Sequence, residues 1–83
     1  MSSGVLQSQN SAVRPDRSVV GARIHDLRKQ HGITLMQMAG ACGLSEATLS
    51  RIENGQSSVS AENLFVMAQL LDVDIAHFFR SEE

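Results

Sequence analysis

A single cysteine, Cys42, occurs in the whole chain. No internal disulfide framework can therefore staple it, and the repeated Cys and His spacing of a structural zinc site is missing. That usage fits a reducing compartment, and the expected location is the cytoplasm. Long apolar runs are missing as well. The N-terminal stretch MSSGVLQSQNSAVRPDRS holds no hydrophobic segment of the length that a signal peptide or a spanning helix requires. Nor is there the basic surplus that coats nucleic acid by charge alone: seven Lys and Arg stand against nine Asp and Glu, a net charge of −2. Catalytic constellations are equally scarce. His25, His31 and His77 have no companions at metal-ligand spacing, no serine lies in a nucleophile elbow, and the glycines follow no strand that could end in a phosphate-binding loop. The expectation is a protein that is not an enzyme and uses no cofactor or metal.

What is present is organised. With 83 residues the chain is one domain at most, small enough that its core is marginal unless oligomerisation helps. Residues 1–56 carry six basic groups against four acidic ones, whereas residues 57–83 carry Arg80 against five acids. One end can face phosphate while the other faces solvent or a partner. Residues 1–17 are rich in Ser, Gln and Asn and include the only proline, so they are expected to form a flexible arm, with Arg14 and Arg17 available to a DNA groove. The domain is expected over residues 18–80, with 81–83 a short tail.

Helical spacing begins at Ser18. Val20, Ile24 and Leu27 share a face that stops at Gly32. Thr34 and Gln37 then form a capping box, followed by Met38, Ala39 and Cys42 on one side and a stop at Gly43. In LSEATLSRIENG, residues 44–55, Ser45 caps the next helix, Glu46 suits its positive N-terminal end, Leu49 and Ile52 point inward, and Asn54-Gly55 ends it. Ser60 caps a fourth helix carrying Leu64, Met67, Ala68 and Leu71, with Val59 and Leu64 set for a hydrophobic staple; Asp74 caps a last helix, IAHFFR. No run alternates in the manner of a strand. The fold class is therefore all-α, five helices in a compact bundle. Cys42 and the methionines Met36, Met38 and Met67 are expected in or near its core.

The second and third helices are too short to stand alone and are joined by the tight turn Cys42-Gly43-Leu44-Ser45. A helix supported from behind that projects its N-terminal end is the device that enters a DNA major groove. Leu44, Leu49 and Ile52 anchor it, leaving Glu46, Ala47, Ser50 and Arg51 to meet something outside; the small side chains at 47 and 50 permit close approach.

The run from Gly21 to Phe79 resembles the Cro and lambda-repressor type of helix-turn-helix domain, found in bacterial and phage transcription regulators. The resemblance rests on the Ile33-Thr34 start, the Ala39 and Gly43 spacing, LSEATLSRIENG, and the tail L-x-x-x-A-x-L-L-D-V ending in Phe78-Phe79. It implies a five-helix fold, DNA reading through the helix at 46–53 and a homodimer on a palindromic operator, most often a repressor. On that reading Glu46, Ala47 and Ser50 meet base edges: glutamate accepts from cytosine, alanine contacts a thymine methyl, and serine serves either partner. Thr48, Arg51 and Asn54, together with the amides at Thr34 and Leu35, meet phosphate. Glu46 has an equal reading as a helix-stabilising acid, and Asn54 one as a helix end. The chain departs from the family where Leu35 and Met36 replace the glutamine that often follows the threonine. They cannot make its hydrogen bond; as apolar residues beside the DNA face they can contact sugar or methyl groups, form a partner patch or tuck into the core, and Leu35 is expected to be partly buried. The last helix, through Ile75, Phe78 and Phe79, is the expected dimer surface. An alternative stays open: a protein-interaction module, an antirepressor or adaptor, on the same scaffold.

Overall fold

The computed structural model describes residues 17–79. Arg14 and most of the expected arm, Arg80 and the 81–83 tail lie outside the described residues. Four α-helices follow one another, α1 (Arg17–Gln30), α2 (Leu35–Cys42), α3 (Glu46–Glu53) and α4 (Ala61–Leu71), before a 3-10 helix at Ile75–Phe79. The described residues contain no strand, so the class is all-helical as expected. Arg17 already belongs to α1, which removes it from the arm.

Local chemistry accounts for the boundaries. Thr34, Ser45 and Ser60 each accept the amide hydrogen three residues on, satisfying a donor that the first helical turn leaves without a partner. At the other ends the same closing pattern recurs: Leu44 N–H donates to the Ala39 carbonyl, Gln56 to Arg51, and Val73 to Ala68. Gly43 makes the first of these turns with φ of 69°. Asp72 makes the last with φ of 57°, a left-handed conformation that a short polar side chain tolerates better than most. The sequence carries no glycine to announce that stop.

The core is assembled from every element. Ile24 of α1, Met38 of α2, Leu49 of α3, Met67 and Leu71 of α4, and Phe78 of the 3-10 helix are its largest fully buried side chains. α1 packs on α3, on α4 and on the 3-10 helix, while α2 packs on α3 and α4. Helices of eight residues cannot persist alone, so α2 and α3 owe their existence to this packing. One contact is unusually close. A methyl group on Gly21 would press into the Ile52 carbonyl oxygen and lie 2.8 Å from that of Glu53, so α1 meets the end of α3 backbone to backbone.

Two expectations are corrected. Phe78 has 0% exposure and completes its own domain's core instead of lining a dimer surface. The cause is the 3-10 geometry: residues three apart eclipse, so Ile75 and Phe78 share the inward face and Ala76 and Phe79 the outward one. Phe79 is 45% exposed. Met36 is the second correction; it is 65% exposed and no part of the core, because Leu35 and Met38 take the inward positions of α2.

Candidate nucleic-acid interface

The surface of interest is built from the start of α2, the turn at residues 43–45 and the outer side of α3. Thr34 and Gln37 close their capping box reciprocally: the Gln37 amide donates to Thr34 Oγ1 at 3.0 Å and the Thr34 amide to Gln37 Oε1 at 2.9 Å. Leu35 is half-buried against the core, as expected, whereas Met36 stands out beside it. At the head of α3 the Thr48 amide donates to Ser45 Oγ at 3.1 Å, and Ser45 Oγ donates in turn to Thr48 Oγ1 at 2.9 Å. Arg51 Nη2 reaches the same Thr48 oxygen at 3.4 Å. The arginine is thereby leaned along its own helix, and its charge stays on the exposed side.

The residues expected to touch DNA fall into two sets. Glu46, Ala47, Arg51 and Asn54 are exposed, as is Thr34; Thr48, Ser50 and Leu35 are half-buried. The exposed members of α3 lie opposite Leu49 and Ile52, so the helix presents one polar face outward while its other face is locked in the core. Asn54 is the last helical-side residue with φ of −89°, and Gly55 takes the left-handed turn after it. Cys42 is half-buried against the core, and burial pushes its thiol above the ordinary range, as suits a structural rather than a reactive sulfur.

The structure also holds an arrangement that the sequence reading missed. Glu53, the final residue of α3, is buried and accepts from Arg28 Nε at 2.7 Å and Nη2 at 3.0 Å. Its other contact is His25 Nδ1 at 2.8 Å from Oε1. Burial opposes the Glu53 charge, but the hydrogen bonds from Arg28 and His25 outweigh it and hold the carboxyl below its usual range. The same bond to Glu53 outweighs burial at Arg28 and raises its already high value. An ionised carboxylate only accepts, so the hydrogen of the His25 ring belongs on Nδ1. Arg28 Nη1 meanwhile donates to the Ile33 carbonyl at 2.9 Å. One guanidinium thus ties the loop that launches α2 to the residue that ends α3, fixing the two helices as a unit. A signal was available in sequence. Ile24, Leu27 and Arg28, like Leu49, Ile52 and Glu53, follow the i, i+3, i+4 spacing of a core face, and each set ends in a charge of opposite sign.

Comparison with known proteins agrees with this architecture. A helix-turn-helix family profile matches residues 24–78. Antitoxin PezA of Streptococcus pneumoniae is 42% identical over 55 residues, covering 66% of this chain and 35% of that protein. The chain therefore spans about a third of the antitoxin's length. The ImmF control region 10 kDa protein of Bacillus phage phi105 is 38% identical over 60 residues, covering 72% of this chain and 67% of the phage protein. Among solved structures, the restriction-modification controller protein C.AhdI from Aeromonas hydrophila superposes with a TM-score of 0.70 at 30% identity, over 77% of this chain and 97% of that one. By name these matches are an antitoxin, a phage control-region protein and a restriction-modification controller. With the profile, the capped α2-turn-α3 unit and these relatives in agreement, the chain belongs to the helix-turn-helix family of Cro and lambda-repressor type.

Proposed function

We propose that this domain is a sequence-specific DNA-binding transcription regulator, acting as a repressor on a palindromic operator that it binds as a homodimer through α3. The observation that carries the reading is the two-sided character of α3: Leu49 and Ile52 are anchored in the core while Glu46, Ala47 and Arg51 stand outside. Ser50, half-buried and small, leaves room for a groove floor. In this account Glu46, Ala47 and Ser50 meet base edges. Arg51, Asn54, the Thr34 hydroxyl and the Leu35 amide meet phosphate, whereas the Thr34 amide, expected to do so, is engaged by Gln37 Oε1 in the capping box. Thr48 contributes by holding Arg51 as much as by touching the backbone itself. Among the described residues no helix is long and apolar enough to cross a membrane.

Replacing Ser50 with glutamate adds bulk and negative charge where the groove floor would lie. Operator affinity is expected to fall roughly a hundredfold or more, the loss of one or two good base contacts, with helicity unchanged by circular dichroism. Equal affinity in a folded S50E protein would discredit α3 as the reader.

With Phe78 in the core and Ile75 turned inward beside it, the dimer contact passes to the outward face of the 3-10 helix, chiefly Phe79. Phe79→Asp is expected to weaken the dimer at least tenfold in sedimentation equilibrium, since it places charge in an apolar contact, while leaving the melting temperature of the monomer nearly unchanged. An unaltered dimer would remove the 3-10 helix from the account. A second reading, a protein-interaction module with little DNA affinity, is favoured by one observation: exposed Met36 stands at the head of α2 where the family often has a phosphate-gripping glutamine.

A further inference from the structure

We propose that the groove between the outer face of α4 and the chain entering the 3-10 helix is a docking site for a peptide segment of another protein, one that carries a large apolar side chain flanked by Lys or Arg. The groove is a shallow, open one of about 590 Å³. Ala68 and Val73 form its floor, Phe65 and Ile75 its apolar walls, and Asp72 and Asp74 part of its rim. Phe65 is 57% exposed, an aromatic ring that α4 holds out although the core has closed beneath it. A volume of this size accepts one or two large side chains.

The occupant follows from charge. From residue 52 to residue 79 the chain contains no Lys or Arg. Glu62, Asp72 and Asp74 are all exposed there, and Glu62 lies one helical turn before Phe65 on the same side of α4. Among the described residues neither carboxylate on the rim forms an ion pair; the Asp74 carboxylate accepts the Ala76 amide at 3.0 Å as the cap of the 3-10 helix. Nucleic acid is repelled by such a rim. A second copy presents the same acidic surface and gains nothing from this rim, whereas a cationic peptide does. The groove is also remote from the reading helix in construction: it is made by α4 and residues 72–75, whereas α3 packs on α1 and α2. A partner seated there leaves α3 open, so the proposal does not rest on DNA reading.

The test uses the full chain and a randomised twelve-residue peptide library displayed on phage, followed by amide-shift mapping of a winning synthetic peptide on isotope-labelled protein. Winners are expected to carry an aromatic or large aliphatic residue flanked by Lys or Arg, and to shift the amides of residues 65–75. Phe65→Ser should weaken the peptide at least tenfold without unfolding the domain, since the ring is largely outside the core. The double variant Asp72→Asn, Asp74→Asn should do the same while keeping both the left-handed turn and the cap, and should flatten the salt dependence of peptide binding. No enrichment, winners without cationic residues, or shifts mapping elsewhere would overturn the proposal. So would a peptide-free chain in which a paramagnetic probe finds Phe65 already covered, by a second copy or by residues 1–16.

Discussion

Gly21→Ala is expected to lower the stability of the domain by about 3 kcal/mol or more, at the upper end of what overpacking costs. The reason lies in the partner atoms. A new methyl group at this position meets the Ile52 and Glu53 carbonyls, backbone oxygens that cannot swing away as a side chain can. Relief requires α1 to move off the end of α3, and that movement opens the contact between Val20, Ile24, Leu49 and Ile52. For a domain of this size the melting temperature should drop by more than about 10 °C. Gly40 supplies the control, because a methyl group there meets nothing within 4 Å. Gly40→Ala should leave stability unchanged or raise it by about 0.5–1 kcal/mol through reduced freedom of the unfolded chain. Thermal unfolding of both variants decides the matter: equal stabilities would mean that α1 and α3 do not approach this closely.

The second large effect concerns the buried charges. Arg28→Met removes both donors to Glu53 and the donor to the Ile33 carbonyl, leaving a buried carboxylate with only His25. Uncompensated buried charge of this kind costs about 3–5 kcal/mol. Arg28→Lys should recover little, since one ammonium cannot bond the carboxylate through two nitrogens while reaching Ile33. The double variant Arg28→Met, Glu53→Leu should be more stable than Arg28→Met alone, because no stranded charge remains. Denaturant titration of the three proteins checks the order. The pH dependence follows from the same group. With its folded value held below the ordinary 4.5, Glu53 contributes stability that is fully present above 4.5 and disappears as the pH falls through the lower folded value. Wild-type protein should therefore lose stability on acidification below about 4.5, and the double variant should lose less. A matching acid profile in both would show that Glu53 is not the titrating support.

The elements themselves were largely legible. Thr34 with Gln37, Ser45 and Ser60 announce three helix starts by caps that the structure contains, and the apolar spacing of Ile24, Leu49, Met67 and Leu71 identifies the core. The outward face of α3 could be read because the inward one is so plainly apolar. Less legible were features that depend on tertiary placement. Arg28 and Glu53 are 25 residues apart, and only folding reveals that their core-facing positions meet. Phe78 and Phe79 look alike in sequence; a change of helical period from 3.6 to 3 sends one inward and the other out. Asp72 ends α4 without glycine, a choice that local rules permit but do not require. Met36 lies outside because α2 needs only two apolar positions per turn to cover the core, and Leu35 and Met38 already fill them.

The central claim, that α3 reads a specific DNA sequence, is tested most directly by selecting bound sequences from a randomised duplex library and titrating the winner across salt. The account predicts a palindromic winner with half-sites about 34 Å apart, bound by two copies of the chain, and an affinity that falls linearly in log–log form as salt rises because phosphate contacts release counterions. A well-folded protein that enriches no sequence, or that binds its winner without salt dependence, would contradict it.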